Sequence, residues 1–203
     1  MSFRRCCLLL AIAGLSACTP LTYIEETVEQ NPIPARSLQH VLLIAPASQD
    51  SVRRSYENRC DSELTAYAKV TSSHEIWPEL TSLNRVNVEG WLKDHADVDG
   101  ILVVQLAALE QSRSNLPQGG VATRELQLMT QPGLTWNYQP DPAVALPEHP
   151  TVLTQSSLYL MPEGKLALTM MARTNVDGKM TSLFRSHCDS MITELQGLGW
   201  LTP

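Results

Sequence analysis

His40-Val41-Leu42-Leu43-Ile44-Ala45 and Asp97-Val98-Asp99-Gly100-Ile101-Leu102-Val103-Val104-Gln105-Leu106 decide the fold. Each holds a near-continuous apolar run of strand length, bounded by Pro46 in one case and by Asp99-Gly100 in the other. A strand without an alternating polar face needs cover on both sides, the usual condition of parallel strands. Between the two runs, Val52, Tyr56, Cys60, Leu64 and Tyr67 recur mainly at intervals of four. That spacing predicts an amphipathic helix, with Ser51 as its cap and Arg53, Glu57 and Asp61 on its outer face. Ala68-Lys69-Val70 is read as the start of a short strand. Pro78 interrupts any helix over Ser72–Asn84, so that stretch is read as an irregular connection. Asn87 is the expected cap of a second helix carrying Val88, Trp91, Leu92 and Ala96.

The second half of the chain changes character. Ser112–Gly120 is polar, Thr123–Thr130 has strand alternation, and Pro132–Pro150 is a proline-rich loop bearing Trp136 and Tyr138. Thr151–Met161 and Lys165–Asn175 predict an antiparallel hairpin around Met161-Pro162-Glu163-Gly164. Leu183, Phe184, Cys188, Met191, Ile192 and Leu195 mark a C-terminal helix. Gly197 and Gly199 fit its end, and Trp200-Leu201 is expected to fold back. Parallel strands first and antiparallel strands later predict an α+β fold. The expectation is a single two-layer domain: a mixed β-sheet of about four to five strands, with three helices mainly on one face.

The beginning of the chain gives an address. Arg4-Arg5, the apolar run Leu8–Ala13 and Leu15-Ser16-Ala17-Cys18 have the organisation of a secretory signal peptide. Leu15-Ser16-Ala17-Cys18 resembles the lipobox of bacterial lipoproteins. The resemblance implies cleavage before Cys18, a diacylglyceryl thioether on its sulfur and an acylated amino terminus. The apolar run is too short to cross a hydrocarbon core of about 30 Å as a helix. More than one acyl chain is also what stable anchoring needs. Thr19 stands where an aspartate usually retains such proteins at the inner membrane, so the outer membrane is the expected location, with the domain facing the periplasm. The expected organisation is therefore a signal peptide at 1–17, a lipidated tether at 18–38 and the α+β domain at 39–203.

The sequence has 15 basic and 21 acidic residues. Loss of Arg4 and Arg5 leaves 13 basic against 21 acidic, a mature formal charge of −8. That balance opposes nucleic-acid binding, which draws on clustered cations, and opposes peripheral attachment to anionic lipid. Arg53, Arg54 and Arg59 form a short basic patch, read as a solvated helix face. Cys6 and Cys7 leave with the signal and Cys18 takes lipid, so Cys60 and Cys188 remain in a compartment where disulfides persist. Each lies on the apolar side of a predicted helix. A Cys60–Cys188 disulfide and two separate buried thiols are the alternatives.

Over residues 38–202 the chain resembles a group of bacterial envelope lipoproteins. The resemblance is carried by the apolar strand, the capped helix, Asp97–Val103, and Leu158-Tyr159-Leu160 followed by Gly164-Lys165-Leu166 and a terminal helix. Ala167-Leu168-Thr169 departs from the apolar-Trp-Ser pattern common there. The wider architecture is similar to lipoprotein activators of peptidoglycan synthases and to curli-secretion lipoproteins, a likeness of fold alone.

Chemistry is harder to find. His40, His74, His95, His149 and His187 include no i,i+4 pair, and no Cys-x-x-Cys accompanies them. His187-Cys188-Asp189 is adjacent in text, but neighbours on a helix point about 100° apart. Asp141 and Glu148 near His149 give only a weak contact site, and Asp97 with Asp99 reads as turn capping. Gly197-Leu198-Gly199 follows a helix, opposite in context to a dinucleotide loop. No catalytic residue, metal or cofactor is assigned. The expected role is an accessory, scaffold or protein-binding component of an envelope assembly. Trp136 and Tyr138, or an exposed sheet edge, are the candidate partner surfaces. A small-ligand-binding lipoprotein or a cell-wall enzyme is the alternative.

Overall fold

The computed structural model describes residues 21–29, 36–47, 49–110, 151–175 and 180–202, with side chains through 105 in the third of these segments. Its strands are β1 (Thr22–Glu29), β2 (His40–Ile44), β3 (Lys69–Ser72), β4 (Gly100–Glu110), β5 (Thr151–Leu160) and β6 (Lys165–Asn175). Its α-helices are α1 (Asp50–Leu64), α2 (Ser73–Ile76), α3 (Arg85–Asp94) and α4 (Met180–Gly197). One six-stranded sheet runs in the order β1-β6-β5-β4-β2-β3. β2 is parallel to both β3 and β4, whereas β4, β5, β6 and β1 follow in antiparallel succession. The result is the expected mixed α+β architecture.

The sixth strand comes from the span read as a tether. Thr22–Glu29 alternates poorly, yet it pairs with β6 from Thr22↔Thr174 to Glu29↔Leu168 across a bulge at Ile24/Glu26. Its charged residues are tolerated because an edge strand keeps one side in water. Buried Thr22 also shares a 2.9 Å hydroxyl–hydroxyl hydrogen bond with Thr174.

β2 shows why its sequence is apolar throughout. Val41 and Leu43 join the larger core, formed with Tyr56, Cys60 and Leu64 of α1 and Leu183, Phe184, Cys188, Met191 and Leu195 of α4. Leu42 and Ile44 join a smaller core on the opposite face, with Val88 of α3, Trp77 and Val98. β4 divides likewise, Leu102 and Val104 to one side and Ile101 and Val103 to the other. The two long helices thus share one face and the shorter α3 seals the other.

Gly164 adopts φ 63° in the turn between β5 and β6, where a Cβ would strain the backbone. At the end of α4, Gly199 N–H donates to Gln196 O at 3.0 Å and Trp200 N–H to Leu195 O at 2.9 Å. With Gly199 at φ 80°, this is a Schellman closure. Trp200 and Leu201 then fold into the larger core as expected.

Three local expectations need correction. α1 begins after Gln49 rather than Ser51, with no side-chain cap. α3 is capped by Asn84, whose Oδ1 accepts the Asn87 N–H at 3.1 Å, so Asn87 is inside the helix. Most consequentially, Arg53 and Glu57 are fully buried rather than outside. The connection after β3 packs along that side of α1, so the helix is covered over a wider arc than its apolar residues mark.

Candidate functional site

Four arrangements gather the polar chemistry of the described residues. The first is built on α1, which carries Arg53 and Glu57 one turn apart against the chain around α2. Glu57 Oε1 accepts the Ala45 N–H at 2.9 Å and the Ser73 hydroxyl at 2.6 Å. Its Oε2 accepts the His74 N–H and meets His74 Nδ1, both at 2.8 Å. One carboxylate therefore fastens the end of β2, α1 and the start of α2. Arg53 donates from one terminal nitrogen to the carbonyls of Trp77 and Pro78, at 2.6 and 3.0 Å. It holds the connection that Pro78 makes irregular.

Serine, histidine and glutamate meeting in one place invites comparison with a hydrolytic triad. The connectivity is wrong for one: Ser73 bonds to Glu57, and no described group is hydrogen-bonded to His74 Nε2. A nucleophile must be in reach of the base rather than of its orienting acid. The cluster is a clamp between elements. Sequence reading missed it because charged residues on a helix are usually solvated; the pointer was that Arg53 and Glu57 directly follow Val52 and Tyr56 on the apolar row.

The second arrangement lies where β2 and β4 begin. Asp99 accepts the Gln39 and His40 backbone N–H groups through its two oxygens, at 2.9 and 3.0 Å. Asp97 Oδ2 meets His40 Nδ1 at 2.8 Å and accepts from Lys69 Nζ at 3.2 Å. His40 Nε2 meets Thr71 Oγ1 at 2.8 Å, so this buried histidine has both ring nitrogens engaged. The His40 and Lys69 hydrogen bonds hold the Asp97 carboxyl down to about 2. These acids cap strands, as the turn reading anticipated. Among the described residues, no group of three or more His, Cys, Asp and Glu is placed to hold a metal ion.

The third arrangement is inside the larger core. Cys60 and Cys188 form a disulfide between α1 and α4, with Cα atoms 5.4 Å apart. This resolves the two alternatives for these cysteines in favour of the bond. Next to it, His187 is fully buried and its Nδ1 shares a 2.6 Å hydrogen bond with the Tyr56 hydroxyl. Its Nε2 is buried without a partner. Burial lowers His187 to about 4 and raises the Tyr56 phenol, the latter helped by the Glu57 charge. His187 and Cys188 are buried in the interior while Asp189 lines a surface groove, so the triplet His187-Cys188-Asp189 does not converge on one site.

The neutral state of His187 has a measurable consequence. The unfolded chain, with a histidine near 6.5, binds more protons than the folded one between that value and about 4. Stability therefore falls as pH drops from about 6.5 to about 4, by an amount of order 3 kcal/mol at full effect. Urea unfolding should show this acid limb in the parent and a flatter one in His187→Gln. Parallel limbs would assign it to other groups.

The fourth arrangement is the groove itself, between α1 and α4 at the start of β1. Leu21, Arg59, Ser182, Arg185, Ser186 and Asp189 line it. Arg59 pairs with Glu63, one turn along α1. Desolvation, then the Glu63 charge, raises the Asp189 carboxyl against the opposing pull of Arg59 and Arg185. Cys18, Trp136 and Tyr138 lie outside the described residues. No described helix is long and apolar enough to cross a membrane.

No family model matches the chain, and no curated protein matches it. Among solved structures, it is similar to the PelC dodecamer from Paraburkholderia phytofirmans, at 10% identity and a TM-score of 0.41, over 88% of this chain and 98% of that one. A single-substitution variant of the same PelC dodecamer gives 10% identity and a TM-score of 0.42, over 86% and 98%. A likeness this distant carries no function across. The particular resemblance to synthase-activator and curli-secretion lipoproteins gains no support from these comparisons.

Proposed function

We propose that this chain is a non-catalytic lipoprotein of the bacterial envelope, anchored through Cys18 in the outer membrane and facing the periplasm. In this reading it is an accessory or scaffold component that engages another envelope protein. The observation that carries the reading is the sheet edge. β1 closes one side of the sheet, and no described strand pairs with its outer side. An eight-residue edge offers backbone N–H and C=O groups to a partner strand. Glu26 and Glu29 discourage self-pairing and select a basic partner. Glu25 is occupied by Arg173 of β6. The carboxylates of Glu57, Asp97 and Asp99 add indirect support, since each is engaged in fastening elements together. Trp136 and Tyr138 supply a second contact surface in the same reading.

In-cell crosslinking of the full lipoprotein, with affinity purification and mass spectrometry, tests this. The expected result is one envelope protein captured reproducibly and lost in Glu26→Lys/Glu29→Lys or in Trp136→Ala/Tyr138→Ala. Recovery of the lipoprotein alone, correctly placed in the envelope, would overturn the scaffold reading.

A further inference from the structure

We propose that the groove between α1 and α4 seats the phosphoethanolamine headgroup of a phospholipid in the membrane that carries the protein, holding the domain flat against the bilayer. The inference rests on the lipidation of Cys18 advanced above. Its first support is chain length. Only three peptide units separate Cys18 from Leu21, and each advances the chain by at most about 3.8 Å. Leu21 therefore sits within about 11 Å of the lipid-bearing residue, comparable to a polar headgroup layer of about 5–8 Å per leaflet.

Leu21 is fixed to the domain rather than hanging from it. Its carbonyl accepts the Asn175 N–H at 2.8 Å, and the next carbonyl, Thr22 O, accepts the Ser190 hydroxyl of α4 at 3.2 Å. The groove that Leu21 lines is thereby carried to the membrane surface by covalent geometry.

The second support is charge complementarity. Arg185 is exposed and has no hydrogen bond or ion pair with any described residue. Arg59 keeps a buried Nε without a partner beside its pair with Glu63. Guanidinium groups with the hydroxyls of Ser182 and Ser186 suit a phosphodiester. Asp189 suits the ammonium, and a cation there would relieve the carboxyl that desolvation and Glu63 disfavour. A zwitterion has no net charge, so the mature chain's −8 does not oppose its binding as it would oppose an anionic lipid.

The test uses the full lipidated protein in nanodiscs of phosphatidylethanolamine, in nanodiscs of phosphatidylcholine and in detergent micelles. Hydrogen exchange is read in the peptide covering residues 180–190, whose first amides have no intrahelical acceptor. The expected result is exchange slowed about tenfold in phosphatidylethanolamine alone, with the slowing lost in Arg185→Ala/Asp189→Ala while the thermal midpoint is kept. Equal exchange in all three media, with the lipid on Cys18 confirmed by mass, overturns the headgroup site and leaves the lipoprotein reading standing. Equal slowing in both lipids overturns the phosphoethanolamine assignment. A Cys18 peptide without lipid removes the lipoprotein reading and this proposal together.

Discussion

Loss of the Cys60–Cys188 disulfide is expected to destabilise the domain by about 5 kcal/mol, through release of the unfolded chain. The cysteines are 128 residues apart in sequence. Closing a loop of that size restricts the unfolded ensemble by about 5 kcal/mol in the chain-entropy treatment, at the upper end of what native disulfides contribute. Most single domains have only about 5–15 kcal/mol of stability in total. Both sulfurs are buried where α1 crosses α4, so Cys60→Ala/Cys188→Ala also leaves two small gaps in the larger core. Urea unfolding of parent and double variant measures the difference. A loss below about 2 kcal/mol would mean that the unfolded chain is already compact without the bond.

Glu57→Ala is expected to cost about 4 kcal/mol, because the carboxylate's partners remain buried when it goes. The Ala45 N–H, the Ser73 hydroxyl and the His74 N–H would each lose an acceptor. An orphaned buried donor costs about 1–3 kcal/mol, and breaking one side of a buried charged cluster about 3–5. Glu89→Ala is the control: its partner Arg85 is half exposed and one turn away on α3, and exposed pairs contribute at most about 1 kcal/mol. A double-mutant cycle with His74→Ala should give a coupling of at least about 1 kcal/mol. A Glu57→Ala cost no larger than that of Glu89→Ala would show that the clamp does not hold the fold.

What could be read from the chain depended on whether its signal was local, as a bounded apolar run or as a periodic pattern. The β2 and β4 runs are apolar throughout, the β5–β6 hairpin and the α4 spacing repeat at the period of their element, and all lie where expected. β1 has no such period: Thr22–Glu29 is held by pairing with a strand far along the chain, which composition does not encode. The polar clamp failed for a related reason. Burial of Arg53 and Glu57 depends on where Ser73–Pro78 folds, and helix periodicity carries no information about that neighbour. Cys60 and Cys188 were legible because their helical rows were apolar, although the rows alone left two outcomes open. The groove could not be read at all, since Leu21, Arg59 and Asp189 come from three widely separated parts of the chain.

The place of β1 in the sheet also sets an order of events. A chain made from its amino end releases Thr22–Glu29 first. The strand's partner, β6, spans residues Lys165–Asn175 near the other end. Until that partner arrives, an eight-residue segment with two open backbone edges has nowhere native to go. Long-range pairing of this kind slows folding, because the intervening chain must be confined first. The earliest strand to appear is the last to be completed, and its backbone groups stay unpaired by any native strand in between.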